Sequence, residues 1–288
     1  MSWANIIGKF QRLAIACQEA ESLTDVWSDF EAAARDSSPN PPEHLRRVLE
    51  ILEDLEAERP RHEIAILDHG TGTGINLFYL AALGYTNVWG ANILLKAQSC
   101  NRIFHEVLGV GEDRIFVYDG TTLPFPDHSI QLIISQQVVE HVPDLAIDAY
   151  YADEGRVLRL GGYALHHVPH RFMPYDSHTE TWFVHYVPRA LQTPIYRALG
   201  HDTVRLFGHL FLRSPQFHMR RVRRYIGAVE DVTTDRLRRK IDVDAYDGPR
   251  RLRQFVGEVC RHPIAGWIPR IVLGPLMMLE TVSRKPLN

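Results

Sequence analysis

The chain has 288 residues, 45% of them hydrophobic and 23% charged, enough apolar side chain to bury one sizeable core. A formal net charge of -3 offers no global positive field, which argues against a dedicated nucleic-acid binder. Cys17, Cys100 and Cys260 form neither a CxxC pair nor an even-numbered framework, and the N-terminus lacks a signal-peptide layout, so a reducing, cytoplasmic location is expected.

Along the chain, Trp3, Ile6, Ile7, Phe10, Leu13 and Cys17 stand at helical spacing, predicting a helix over 3–17 that packs on the main domain or caps a ligand site. Asp36 to Pro42 reads as a loop, and a second helix runs from about Pro42 to Leu55. From residue 63 the pattern changes to short β-rich runs alternating with helical segments. Strands are predicted at 63–67, 87–91, 114–118, 130–135 and 162–168, an alternation that implies a parallel sheet with right-handed crossovers. Beyond 169 lies an aromatic- and His-rich segment, then a basic helix opened by Ser214-Pro215, and Leu279 to Pro286 suits a last strand. The apolar stretch Pro263–Leu279 is broken by Pro269, Arg270 and Pro275, and falls short of the roughly 20 residues a membrane span needs. Four segments are expected: a helical cap over 1–60, a core over 61–168, an insertion or lid over 169–213, and completion of the sheet over 214–288.

The stretch Asp68-His-Gly-Thr-Gly-Thr-Gly74 follows the first apolar run, at the strand end where open parallel sheets bind ligands. Gly70, Gly72 and Gly74 permit positive φ and let a ligand lie against bare backbone. A dinucleotide fingerprint would place a third glycine where Ile75 stands, and no G-x-x-x-x-G-K-[ST] pattern exists, so NAD, FAD and P-loop nucleotides are disfavoured.

Four blocks together carry a family resemblance: Leu67 to Gly74, Asp119 to Ser135 (DGTTLPFPDHSIQLIIS), Val138 to Asp144 (VVEHVPD) and Arg156 to Gly162 (RVLRLGG). Over about 63–168 the chain resembles the class I S-adenosylmethionine-dependent methyltransferases. The resemblance implies an α/β fold, a Rossmann-like seven-stranded, mostly parallel sheet with helices on both faces, and S-adenosyl-L-methionine as cofactor. It implies that Asp68 supports the loop near the methionine ammonium while His69, Gly70, Thr71, Gly72 and Gly74 lie against the ligand. Asn92, beside Ile93, stands where an acid normally accepts from the ribose hydroxyls, with loss of charge assistance. Asp119, with Gly120 and Thr121, matches the adenine contact, and Gln136 ends the fourth strand at the site.

Methyl transfer needs an aimed nucleophile and exclusion of water. No [DNS]-P-P-[YF] element follows the fourth strand and no Pro-Cys nucleophile is present, so base methylation in nucleic acid is not expected. A small molecule, sugar or lipid-linked acceptor remains, most often methylated on oxygen. A small-amine N-methyltransferase, or a non-catalytic protein that kept the fold, are the rivals. An alcohol needs a base near neutral pKa, for which the candidates are His141, His170 and His178. The His spacing is irregular and no cysteine assists, so no metal is expected. Trp182, Phe183, Tyr186 and Tyr196 suit an acceptor lid or a satellite core. Two basic clusters, Arg220 to Arg224 and Arg236 to Lys240, suit solvated helix faces or contact with an anionic acceptor or a membrane surface, aided there by Trp267.

Overall fold

In the computed structural model, residues 3–19, 22–94, 97–238, 258–259, 262 and 267–287 are described; Cys260, Arg239 and Lys240 lie outside them. Three helices come first, α1 (Trp3–Gln18), α2 (Leu23–Ser37) and α3 (Glu43–Glu56). The second of these is absent from the pattern reading above. It buries Leu23, Trp27, Phe30 and Ala34, an i, i+4, i+7 stripe whose neighbours Ala32 and Ala33 favour a helix.

The alternating region follows as β1 (Ile66–His69), α4 (Ile75–Ala82), β2 (Val88–Asn92), β3 (Ile115–Val117), β4 (Ile130–Gln136), α5 (Ile147–Val157) and β5 (Leu158–Val168). A two-stranded hairpin comes next, β6 (Tyr175–Asp176) and β7 (Thr181–Trp182). After it come α6 (Arg189–Ala198), α7 (Thr203–His209), α8 (Pro215–Tyr225), β8 (Ala228–Asp231), α9 (Asp235–Arg238), α10 (Trp267–Leu273) and β9 (Leu279–Arg284). As expected, Ser214 caps α8, its hydroxyl accepting from the Phe217 N–H.

Seven strands form one sheet in the order β3-β2-β1-β4-β5-β9-β8. The first five are mutually parallel, and β9 runs antiparallel between β5 and β8. The parallel strands are apolar on both faces, as helices on both sides require. Ile66, Leu132, Ile134 and Leu165 pack towards α1–α4, with Phe10, Phe30, Leu52 and Phe78. Leu67, Ile133 and Ala164 pack the other way, onto Tyr150, Tyr151 and Val157 of α5 and Val222 of α8.

Strand period therefore decides which polar residue reaches which face. Asp68 follows Ile66 on the α1–α4 side; His69 follows Leu67 on the α5 side. At the end of β5, His167 falls on the first side and His166 on the second. No helix among the described residues is long and apolar enough to cross a membrane.

Candidate active site

At the carboxyl ends of β1, β4 and β5, a cleft of about 830 Å3 opens on the α1–α4 side. That is within the usual size of small-molecule sites. Its floor is Asp68, Gly70, Thr71, Gly72 and Thr73, with Gln136 and Gln137 from the end of β4. The first helices supply one wall: Trp3, Ile7, Phe10 and Gln11 from α1, and Glu43 and His44 from the start of α3. His167, Met278, Glu280 and Arg236 close the other side. Thus α1 does two things at once, packing Ile6, Phe10 and Leu13 into the core while Trp3, Ile7 and Gln11 rim the cleft.

The loop after β1 explains its own composition. Gly70 has φ +92°, and a Cβ there would lie 2.3 Å from Val138 Cγ2, so any side chain is excluded. Gly72 has φ +56° but meets nothing nearer than the Gly70 carbonyl at 4.0 Å. Its bareness serves the left-handed backbone and the open cleft rather than protein packing.

Asp68 is only 2% exposed, and its Oδ2, like Thr71 Oγ1, has no hydrogen-bond partner. Burial pushes its pKa up to about 7, and the neighbouring Thr71 hydroxyl, short of full hydrogen-bond geometry, pulls it partway back. A buried carboxylate with an orphaned oxygen beside a glycine loop suits a cationic ligand group, such as the ammonium of S-adenosylmethionine.

The adenosine side differs from the resemblance in one respect. Asn92 Oδ1 accepts from the N–H groups of Ile93 (2.8 Å) and Leu94 (3.3 Å), and its Nδ2 donates to the Gly72 carbonyl at 3.3 Å. The amide therefore pins the glycine loop by a donor that a carboxylate lacks, and its oxygen already serves the local backbone. Asp119 Oδ1 likewise accepts from Thr121 and Thr122 at 2.7 and 2.8 Å, contacts that hold its pKa down. Gly120 has φ +86°, a left-handed backbone that favours glycine, and a Cβ there would meet Ile93 Cγ2 at an ordinary 3.5 Å.

His69, expected against the ligand, turns away from the cleft because it sits on the opposite face of β1 from Asp68. Its Nδ1 bonds Glu154 Oε1 at 2.8 Å, its Nε2 meets the Tyr118 hydroxyl at 2.5 Å, and its ring stacks on Tyr150. Glu154 Oε2 takes His166 at 2.9 Å. Burial alone would raise the pKa of Glu154; His166 and His69 outweigh it and hold the carboxylate at about 2. His218 lies beside His166 and bonds the Tyr151 hydroxyl and Thr281. This chain of polar groups staples α5 and α8 to the sheet.

The three candidate bases do not gather at the cleft. His170 is 2% exposed; its Nδ1 accepts from the Phe172 N–H and its Nε2 bonds the Met277 carbonyl at 2.7 Å, so neither nitrogen is left to take a proton. His141 and His178 do meet, ring centroids 5.0 Å apart, beside Glu140. That cluster joins the turn after β4 to the β6–β7 hairpin and contributes nothing to the cleft lining. None of residues 169–213 lines the cleft either. Trp182, Phe183 and Tyr186 are exposed, whereas Tyr196 is buried.

Other residues line the rest of the cleft. His167 Nε2 stands 3.2 Å from Glu280 Oε1 across the β5–β9 pair. His44 is pushed down to about 4 by burial, so it is neutral near pH 7, and its ring Nε2 contacts Asn76 Oδ1 at 3.2 Å. Gln136 Nε2 donates to the His44 carbonyl, tying the α3 end of the cleft to β4. Alternation along β5 was the available signal for His167: two residues beyond core-facing Leu165, it had to share a face with Asp68.

Among known proteins, residues 67–166 match the family described as "Methyltransferase domain". No curated protein sequence matches the chain at a significant level. In solved structures the chain is similar to an S-adenosylmethionine-dependent methyltransferase from Mesorhizobium loti, with 17% identity, 81% of this chain and 96% of that one covered, and a TM-score of 0.46. It is similar also to the YcgJ protein of Bacillus subtilis, at 16% identity, 82% and 97% coverage and a TM-score of 0.44. A third is the Haemonchus contortus phosphoethanolamine N-methyltransferase 2, at 14% identity, 85% and 54% coverage and a TM-score of 0.46. The sheet order and the matched segment agree: residues 67–166 match a methyltransferase-domain family and lie on a seven-stranded, Rossmann-like, mostly parallel sheet.

Proposed function

We propose that the protein transfers a methyl group from S-adenosyl-L-methionine to a hydroxyl of a small molecule or glycoconjugate held in the cleft beneath α1 and α3. The observation that carries this reading is the orphaned Oδ2 of buried Asp68 at the foot of the glycine loop. The cofactor, when bound, supplies an electrophilic methyl group. Asp68 and the loop backbone would hold its amino-acid end, and Ile93, Asp119 and Gly120 its adenosine end.

In this reading His167, which lines the cleft, takes the hydroxyl proton. Its Nε2 lies 3.2 Å from Glu280 Oε1 without hydrogen-bond geometry, and an imidazole beside a carboxylate can serve as general base, a role worth on the order of 10²–10⁴ in rate. Trp3, Ile7 and Phe10 keep water from the acceptor and give it an apolar wall. Arg236, anchored on the carbonyls of Thr233 and Met278, gives the same cleft a cation for an anionic substituent.

The test pairs calorimetry with methyl transfer. S-adenosylhomocysteine should bind the wild type and His167→Asn alike, while transfer from labelled cofactor to hydroxyl acceptors should fall by about 10²–10⁴ in the variant. Full-rate transfer to amines in His167→Asn would establish the small-amine reading in its place, and no heat with folded protein would end the methyltransferase assignment.

A further inference from the structure

We propose that Glu140, His141 and His178 form a binding site for one divalent transition-metal ion, of which zinc is the best chemical match. The site clamps the turn after β4 to the β6–β7 hairpin, and it stands independently of the methyl-transfer reading.

The ligand atoms are already close to the required spacing. Glu140 Oε1 lies 3.9 Å from His141 Nε2 and 3.5 Å from His178 Nε2, and one ligand atom from each of the three residues falls within 4.8 Å of the others. Ligands about 2.0–2.1 Å from a tetrahedral ion are roughly 3.4 Å apart, so small side-chain rotations close the site.

Each imidazole is also prepared in the way metal ligands are. His141 Nδ1 donates to the His209 carbonyl at 2.7 Å, which leaves Nε2 as the lone-pair nitrogen facing Glu140. The Nδ1 of His178 bonds Asp176 Oδ1 at 3.1 Å, and Asp176 is itself fixed by the Thr179 hydroxyl and the His178 N–H. A carboxylate or carbonyl behind each histidine is the usual orienting contact at such centres.

The independent observation is Glu140. Its side chain is fully buried, and its Oε1 faces His178 Nε2 at 3.5 Å and His141 Nε2 at 3.9 Å without full hydrogen-bond geometry to either. A buried carboxylate normally finds donors, and this one turns an oxygen towards two imidazole nitrogens. Two nitrogens and one oxygen, with no thiolate, suit zinc or its neighbours better than magnesium or calcium, which prefer all-oxygen shells. The exposed side of His141 gives an ion entry, and three protein ligands leave a fourth position for water.

The full chain, freed of metal by a chelator, is titrated with Zn2+ against a chromophoric competitor, and Co2+ is added separately to read the visible bands of a low-coordinate site. One equivalent should bind, and His141→Ala, which alters an exposed ring and leaves the fold intact by circular dichroism, should weaken it at least 100-fold. His178→Ala should do the same and abolish the cobalt bands. Binding that survives both substitutions unchanged, wild-type affinity no tighter than that of His141→Ala, or a preference for Mg2+ over Zn2+ would each overturn the assignment.

Discussion

Replacing Asp68 by Asn should make the ligand-free protein more stable and, at the same time, poorer at holding its cofactor. The folded state raises this carboxyl from 3.8 to about 7 through burial. The native chain therefore keeps a proton that the unfolded chain releases, and stability falls as pH rises from about 4 towards 7. At 1.36 kcal/mol per pKa unit, the loss accumulated between pH 5 and pH 8 is about 2–3 kcal/mol, and the full cost of the ionised group is about 4 kcal/mol. Asparagine has the same shape and never ionises, so Asp68→Asn should lack this component of the pH dependence. Urea unfolding of both proteins at pH 5 and pH 8 measures it: the gap between them should widen by about 2–3 kcal/mol in favour of the variant at the higher pH. Cofactor binding supplies the missing cation, so calorimetry of the wild type with S-adenosylhomocysteine near pH 6.5, in buffers of different ionisation enthalpy, should detect proton release. Parallel pH profiles for the two proteins, or unweakened binding by the variant, would refute the argument that Asp68 is a buried acid waiting for a positive partner.

Glu154→Gln removes the charge that two buried imidazoles share; a loss of about 3–5 kcal/mol in urea unfolding is expected, and a change below about 1 kcal/mol would show that the network is dispensable. Gly72→Ala puts a methyl group on a backbone at φ +56° with no protein neighbour in contact, so it should cost only about 1–2 kcal/mol of stability. The same methyl faces the cleft, and affinity for S-adenosylhomocysteine should drop at least tenfold; an unchanged Kd would mean that the ligand does not lie against that turn.

Much of the fold was legible because the buried parallel strands are short apolar runs with turns between them. The strand ends were less so. β1 runs on through Asp68 and His69, two polar residues that composition alone would place in a loop, because each finds its own use on its own face of the sheet. The turn after β1 could be read since its glycines answer to local backbone demands. The rest of the cleft was legible only in part: Trp3 and Arg236 fall in segments that suggested a ligand cap and an anion contact, but that they meet His44, His167 and Glu280, from distant parts of the chain, follows only from tertiary packing. His170 misled for the same reason: proximity to a strand end says nothing about the carbonyl of Met277, more than a hundred residues on.

Because β9 slides between β5 and β8, the sheet is completed by its latest strand in chain order rather than at an edge. During synthesis the half-built sheet would present the open flank of β5 until residues 279–284 emerge, and β8 would have no neighbour at all. Glu280 arrives with that closing step, so the wall of the cleft and the last row of main-chain bonds form together. Amide exchange along β8 and β9 should accordingly rise and fall as one unit, and fraying there would unlatch that wall of the cleft while leaving the glycine turn in place.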